Sequence, residues 1–304
     1  MIDFRYHLVS LMAVLVALTI GVILGAGPLQ GPLSDSLTGQ VNKLTERQAE
    51  LTEQNETLKN QVSQGEKFID SSSALTVDGT LRDVPVAVVR TSDASDAAVQ
   101  DVVTLLGEAG AKVQGQAKLE TAWFADDSSS ARTSLAKQLT GHLGDAVNAQ
   151  SSTAEVLAQG LLTSLTTADD NTQPVRDLLS GGDTKFVTFS GNGGAQALVL
   201  VTGTNSDMGM ATGADKDKDM ELATAQVIGK AAGSGVVLGD ATVDKDFVAQ
   251  VRHGSVSVTT VDSIATARGR TSVPLALAAA RSGKSAAFGT GIGATKDVPE
   301  VSRS

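Results

Sequence analysis

The chain has no cysteine and only 3 histidines, and these absences exclude a large part of protein chemistry. Without thiols there can be no disulfide scaffold, zinc–cysteine cluster, iron–sulfur site, thiolate copper site or cysteine nucleophile. Three histidines are too few to expect an all-histidine metal cage. Aromatic residues make up 3% of the chain, which leaves little to build a base-stacking platform. Positive charge is also short: 24 Lys and Arg stand against 34 Asp and Glu, for a net charge of -10. Nothing then draws the chain as a whole to phosphate backbones, and nucleic acid is not an expected partner.

Motifs of catalysis are missing as well. No Gly-x-Ser-x-Gly occurs, and His142 and His253 sit in no pattern that marks a nucleophile's base. Gly283-Lys284-Ser285 has the ending of a phosphate-binding loop, but Ala278 stands where the leading glycine belongs, and the stretch follows an expected helix. It reads as a helix C-cap with a solvated lysine. Asp215, Asp217 and Asp219 alternate as in a calcium loop, yet Met220 and Gln226 occupy the positions of the turn glycine and the bidentate glutamate. Gly289-Thr290-Gly291-Ile292-Gly293 opens no β-α-β unit and gives only a weak dinucleotide signal. The expectation is a protein without enzymatic activity.

What is present begins with an apolar run. From Leu8 to Gly27 there is no charge, and Ser10 and Thr19 carry the only polar side chains. As a helix this run spans about 30 Å, the hydrocarbon thickness of a bilayer. It reads as a transmembrane helix, preceded by Asp3, Arg5 and His7 and followed by no charge before Asp35, so residues 1–7 are expected in the cytoplasm. A cleaved signal peptide is the rival, since Gly25-Ala26-Gly27 is a small-x-small sequence. Pro28 after the cut and the length of the run argue against it. A buried soluble helix is the remaining alternative.

A heptad register follows over residues 33–70. Leu37, Leu44, Leu51 and Leu58 recur every seven residues at d, with Val41, Gln48, Asn55, Val62 and Ile69 at a. Glu46, Glu50, Glu53, Glu56 and Lys59 lie off the seam. Leucine at d with asparagine at a favours two parallel strands, and anchoring both N-termini in one membrane enforces the same alignment. Leu37, Val41, Leu44, Gln48, Leu51, Asn55, Leu58 and Val62 are therefore the candidate interface of a parallel homodimer. The polar a positions and the Gln and Thr at e and g make the seam permissive, open to a partner's coiled coil. The alternative is that this helix packs back on the chain's own globular part.

Beyond about residue 80 short apolar runs alternate with amphipathic stretches. Strands are expected at Val84–Val89, Ala111–Leu119, Phe186–Phe189, Leu198–Val201, Val236–Leu238 and Val256–Val261. Helices are expected between most of them, so residues 80–290 read as a largely parallel, Rossmann-like α/β domain, with residues 291–304 as a tail. Gly191-Asn192-Gly193-Gly194 is too short for a parallel crossover and predicts that its flanking strands pair as one antiparallel hairpin. Residues 203–219 read as a loop. Met208, Met210 and Met220 in or beside it are the candidate metal ligands, since thioethers suit Cu(I), although such methionines also pack against apolar surface.

Two blocks carry a family resemblance. Asp3-Phe4-Arg5-Tyr6-His7-Leu8-Val9-Ser10 running into Gly21-Val22-Ile23-Leu24-Gly25 is one. Thr260-Val261-Asp262-Ser263-Ile264 with Ala267-Arg268-Gly269-Arg270 and Leu275-Ala276-Leu277-Ala278 is the other. In both, the chain resembles the actinobacterial MctB-like copper transporters. The resemblance implies a single-pass protein of the cytoplasmic membrane with a coiled coil and an extracytoplasmic α/β domain. It also implies either copper efflux or, as in the related SteB-type members, a part in cell separation through a peptidoglycan hydrolase; it brings no catalytic residues. One helix with no polar face lines no aqueous path. The reading from sequence is thus a non-enzymatic dimeric scaffold of the cell envelope, tied to division or wall remodelling through a coiled-coil partner such as a wall hydrolase. Copper handling is the alternative.

Overall fold

A computed structural model describes residues 4–26, 30–169, 172–203, 216–231, 234–254 and 256–300. The chain divides into two compact units, residues 1–64 and 65–304.

The first unit is helical. The apolar run forms α1 (Phe4–Ala26), which holds a 22-residue stretch long and apolar enough to cross a membrane, with none of its window buried. Thr19 spends its hydroxyl on the Leu15 carbonyl at 2.6 Å, so even this polar group leaves no open donor on the helix surface. A single helix, α2 (Gln30–Val77), follows. Pro32 falls in its first turn, where the missing N–H costs no hydrogen bond.

The second unit is a seven-stranded sheet covered on both faces. Its elements are β1 (Pro85–Arg90), α3 (Asp96–Glu108), β2 (Lys112–Leu119), α4 (Ser129–Leu143), α5 (Thr153–Thr166), α6 (Gln173–Ser180), β3 (Val187–Gly191) and β4 (Ala197–Val201). Then come α7 (Lys216–Lys230), β5 (Gly235–Leu238), α8 (Phe247–His253), β6 (Thr259–Val261), α9 (Ala267–Arg281) and β7 (Ala287–Phe288). The strand order is β3-β2-β1-β4-β5-β6-β7, parallel except for β2 with β3.

Alternate residues of the central strands feed two cores, as their period of two requires. Val86, Val88, Val199 and Val201 meet α3, α9 and Val77 at the end of α2. Ala87, Val89, Leu198 and Leu200 meet α4 to α8. Right-handed crossovers explain the split, because β1 to β2 and β4 to β5 step in opposite directions and so put α3 and α7 on opposite faces. The carboxyl ends of β1 and β4 therefore flank the sheet's topological switch point. The step from β6 to β7 runs the same way as β4 to β5, yet α9 lies on the α3 face. That crossover thus has the uncommon hand.

The antiparallel pair is present, but its partners differ from the hairpin expected between Phe186–Phe189 and Leu198–Val201. The strand before the glycine-rich link pairs with β2 at the sheet edge, and the strand after it inserts between β1 and β5. The link crosses the amino ends of β2 and β1, with Asn192 N–H bonded to Gln114 O at 3.1 Å and Gln196 N–H to Pro85 O at 2.8 Å. The link is short, but its ends need not be neighbours. Sequence reading also missed α6 and β7 and began α7 too late: it runs from Lys216, so Asp217 and Asp219 lie in a helix and not in a calcium loop. Gly283, at φ +75° just past α9, is a helix C-terminal turn, as read.

Candidate functional site

Three features bear on function: the stripe on α2, the carboxyl edge of the sheet, and the methionines.

Val41, Leu44, Leu51, Leu58 and Val62 are 58–64% exposed, and Gln48 and Asn55 are exposed beside them. Leu37 belongs to the same helix, but its side chain lies outside the described residues. Along α2 the spacing four-three-four-four from Val62 leads to Glu66, Ile69, Ser73 and Val77, so these residues share a face. Within the second unit this face is covered: Ser73 and Val77 are buried, and Glu66 and Ile69 are half-buried. The Glu66 carboxylate accepts the Ala267 N–H at the first turn of α9, where an acidic group satisfies an orphan donor and complements the helix dipole.

At the carboxyl edge, side chains from one strand fill the room left by glycines on the next. Thr91 bonds Asp93, whose carboxylate lies against Gly203 so closely that any Cβ there would collide. Gly239 makes the same allowance for the Thr202 hydroxyl, and Gly289 for the Asp262 carboxylate. Arg252 and Asp262 form the centre of this edge, their side chains 4% and 1% exposed and 3.0 Å apart. Arg252 also donates to Thr260 Oγ1 at 2.9 Å, Phe288 O at 2.9 Å and Ile292 O at 2.8 Å. Asp262 accepts from Ser263 Oγ at 2.7 Å, Gly291 N–H at 2.8 Å and Thr290 N–H at 3.1 Å. Burial opposes the charge on Asp262, but these hydrogen bonds outweigh it and hold the carboxyl below the usual carboxylate range. Burial lowers the Arg252 pKa, and Asp262 offsets part of that.

The neighbouring Asp240 shifts the other way. Burial, then the nearby Asp246 and Asp262 charges, raise its carboxyl above the ordinary value. Asp246 precedes α8 and turns its carboxylate back on the loop before that helix, accepting from Thr242 N–H at 2.6 Å and Val243 N–H at 2.9 Å. Apart from Asp240 and the buried Arg90 Nε, which has no hydrogen-bond partner among the described residues, the edge is a set of groups that satisfy one another. It pins the loop after β7, a strand with only two ladder residues and a crossover of the uncommon hand. Chain that sequence reading had given to a tail is bonded here too, with Ile292 N–H on Ala241 O at 2.7 Å and Lys296 O accepting from Gly289 N–H at 2.8 Å.

Sequence reading found Asp262 and Arg268 to Arg270 only as a familiar block, and the fold gives that block a physical reason. Gly269 has no room for a Cβ beside Ser263 O, Ser263 takes φ +64°, and Arg270 bonds Ile264 O at 3.0 Å and Asp101 at 3.1 Å. Arg252 was missed, because nothing local marks an arginine whose partners are Thr260, Asp262, Phe288 and Ile292.

Of the three candidate metal ligands, Met220 alone lies among the described residues. Met220 is 3% exposed, on α7 in the core with α5 and α8. Met208 and Met210 lie outside the described residues; by chain order they fall between β4 and α7, the connection that leaves the switch point. Among the described residues no group of three or more His, Cys, Asp or Glu could hold a metal ion.

The apolar N-terminal helix and the doubly wound domain define a membrane protein with a folded α/β part. The family described as "Copper transport outer membrane protein, MctB" matches residues 1–299, and the chain belongs to it. Curated relatives named "Copper transporter MctB", from Mycobacterium tuberculosis (strain ATCC 25618 / H37Rv) and Mycobacterium bovis (strain ATCC BAA-935 / AF2122/97), are each 34% identical over 119 residues. That match covers 39% of this chain and 38% of each relative.

Proposed function

We propose that the chain is a membrane-anchored copper-handling protein that acts without enzymatic chemistry of its own. The observation that carries this reading is the family match over nearly the whole chain, residues 1–299. It favours copper over the cell-division scaffold expected from sequence. The anchor is α1, a single pass of the cytoplasmic membrane, and the charge pattern before and after it supports an extracytoplasmic α/β domain. One helix of this kind encloses no pore, so the chain binds or presents copper as cargo and does not conduct it alone.

The described residues offer no metal cluster, and the chain has no thiol. The soft donors that remain between β4 and α7 in the chain are Met208 and Met210, and thioethers select Cu(I) over harder ions. Competitive Cu(I) titration of the full chain in detergent tests this. Binding is expected at micromolar free copper or below, and replacing Met208 and Met210 together by leucine is expected to weaken it at least tenfold. A flat titration of the parent chain would overturn the reading.

The exposed stripe on α2 favours a second reading, a dimeric tether whose paired helices hold a coiled-coil partner such as a wall hydrolase at a fixed height above the bilayer. The two readings are compatible, because the stripe and the methionines lie on different parts of the chain.

A further inference from the structure

The stripe on α2 has two halves that differ in what covers them. From Val41 to Val62 its apolar residues are open, whereas from Glu66 to Val77 the same helical face is covered within the chain and latched by Glu66 to the start of α9. We propose that a second copy of this chain covers the open half, parallel and in register from residue 37 to 62, and that the pairing stops before Gly65.

Three observations select a second copy as the occupant. The polar layers come first: Gln48 and Asn55 stand at a in an otherwise apolar seam, and two-fold symmetry gives each a like partner in its own layer. A foreign apolar helix would leave both carboxamides unpaired.

Charge across the seam is the second. In a parallel pair each g residue faces the e residue five positions on. Gln40 then meets Thr45, Arg47 meets Thr52 and Gln54 meets Lys59, so no like charges meet. Glu46, Glu50, Glu53 and Glu56 all fall on the outer positions. The third is the anchor, since two chains held by the same N-terminal helix in one membrane present their seams in the same direction and at the same height.

The end of the pairing follows from α2 itself. Gly65 and Ser72 occupy the d positions after Leu58 and offer no knob for a partner's hole. Ile69, the next a residue, is already half-buried by its own domain.

The absence of native cysteine makes this directly testable. Single cysteines are placed in the full chain in its membrane, at the a positions as Val41→Cys, Gln48→Cys and Val62→Cys, at the outer Glu53→Cys, and at Ile69→Cys. All but the last are exposed positions whose substitution leaves packing intact. Mild oxidation is expected to give covalent dimers at least tenfold more abundantly at 41, 48 and 62 than at 53 or 69. The proposal is overturned by no homodimer at any of the three, by crosslinks only to another protein, or by equal yield at 53. Strong crosslinking at 69 would refute the stop before Gly65. The readout involves no copper, so it stands or falls apart from the metal reading.

Discussion

Asp262 and Asp240 are neighbours at one sheet edge and respond to pH with opposite sign. Asp262 is depressed, so its contribution to stability is present above the ordinary carboxylate range and is lost as pH falls through its lowered value. Asp240 is raised, so it costs stability at neutral pH and is relieved as pH falls and it takes up a proton. Chemical denaturation between pH 4 and 8 separates the two. Asp262→Asn is expected to lose about 3–5 kcal/mol at pH 7, the cost of leaving a buried arginine unpaired. Asp240→Asn is expected to be more stable than the parent at pH 7, with the difference shrinking toward pH 4. If Asp262→Asn unfolded like the parent, the pair would not be what holds the β7 loop. At this scale sequence was a poor guide: Asp262 stood out only as part of a familiar block, and Arg252 not at all, because its partners are up to 40 residues away.

Elements were more legible where one segment sets its own pattern. The heptads of α2 and the apolar run of α1 need only local periodicity, and both helices are present. That the same helical face is covered beyond Gly65 was hidden, because this depends on Glu66 reaching Ala267, 201 residues away. Pairing of β3 and β4 was hidden for a related reason: a tight glycine-rich link reports strand direction, while the neighbours of each strand depend on the whole sheet. The short β7 shows no pattern of its own, since its Phe288 carbonyl is held by Arg252 and by the Asp262 N–H. For α2 the consequence is specific. Leu44→Asp with Leu51→Asp puts charge into two d layers, and sedimentation of the full chain in detergent is expected to shift from dimer to monomer with helicity of the α/β domain unchanged. Unaltered association would assign the stripe no role in it.

On the scale of the whole molecule, the membrane helix, the open stripe on α2 and the α/β domain are proposed to have different tasks. As proposed, the anchor fixes location, the stripe serves association, and Met208 and Met210 between β4 and α7 supply the soft donors for copper. The doubly wound class was legible in the alternation of strands and helices, and so was the family, at both ends of the chain. Neither composition nor topology named the cargo, because the carboxyl edge, where such sheets commonly bind ligands, is filled here by Asp93, Thr202 and Asp262 against glycines. The measurement that bears most directly on the proposed role is cell-associated copper, read by elemental analysis in cells lacking this chain and in the same cells with it restored, under a copper load. The account predicts at least twofold more retained copper without the chain, reversed by the parent and not by the double Met208→Leu, Met210→Leu variant; equal copper in all strains would contradict it.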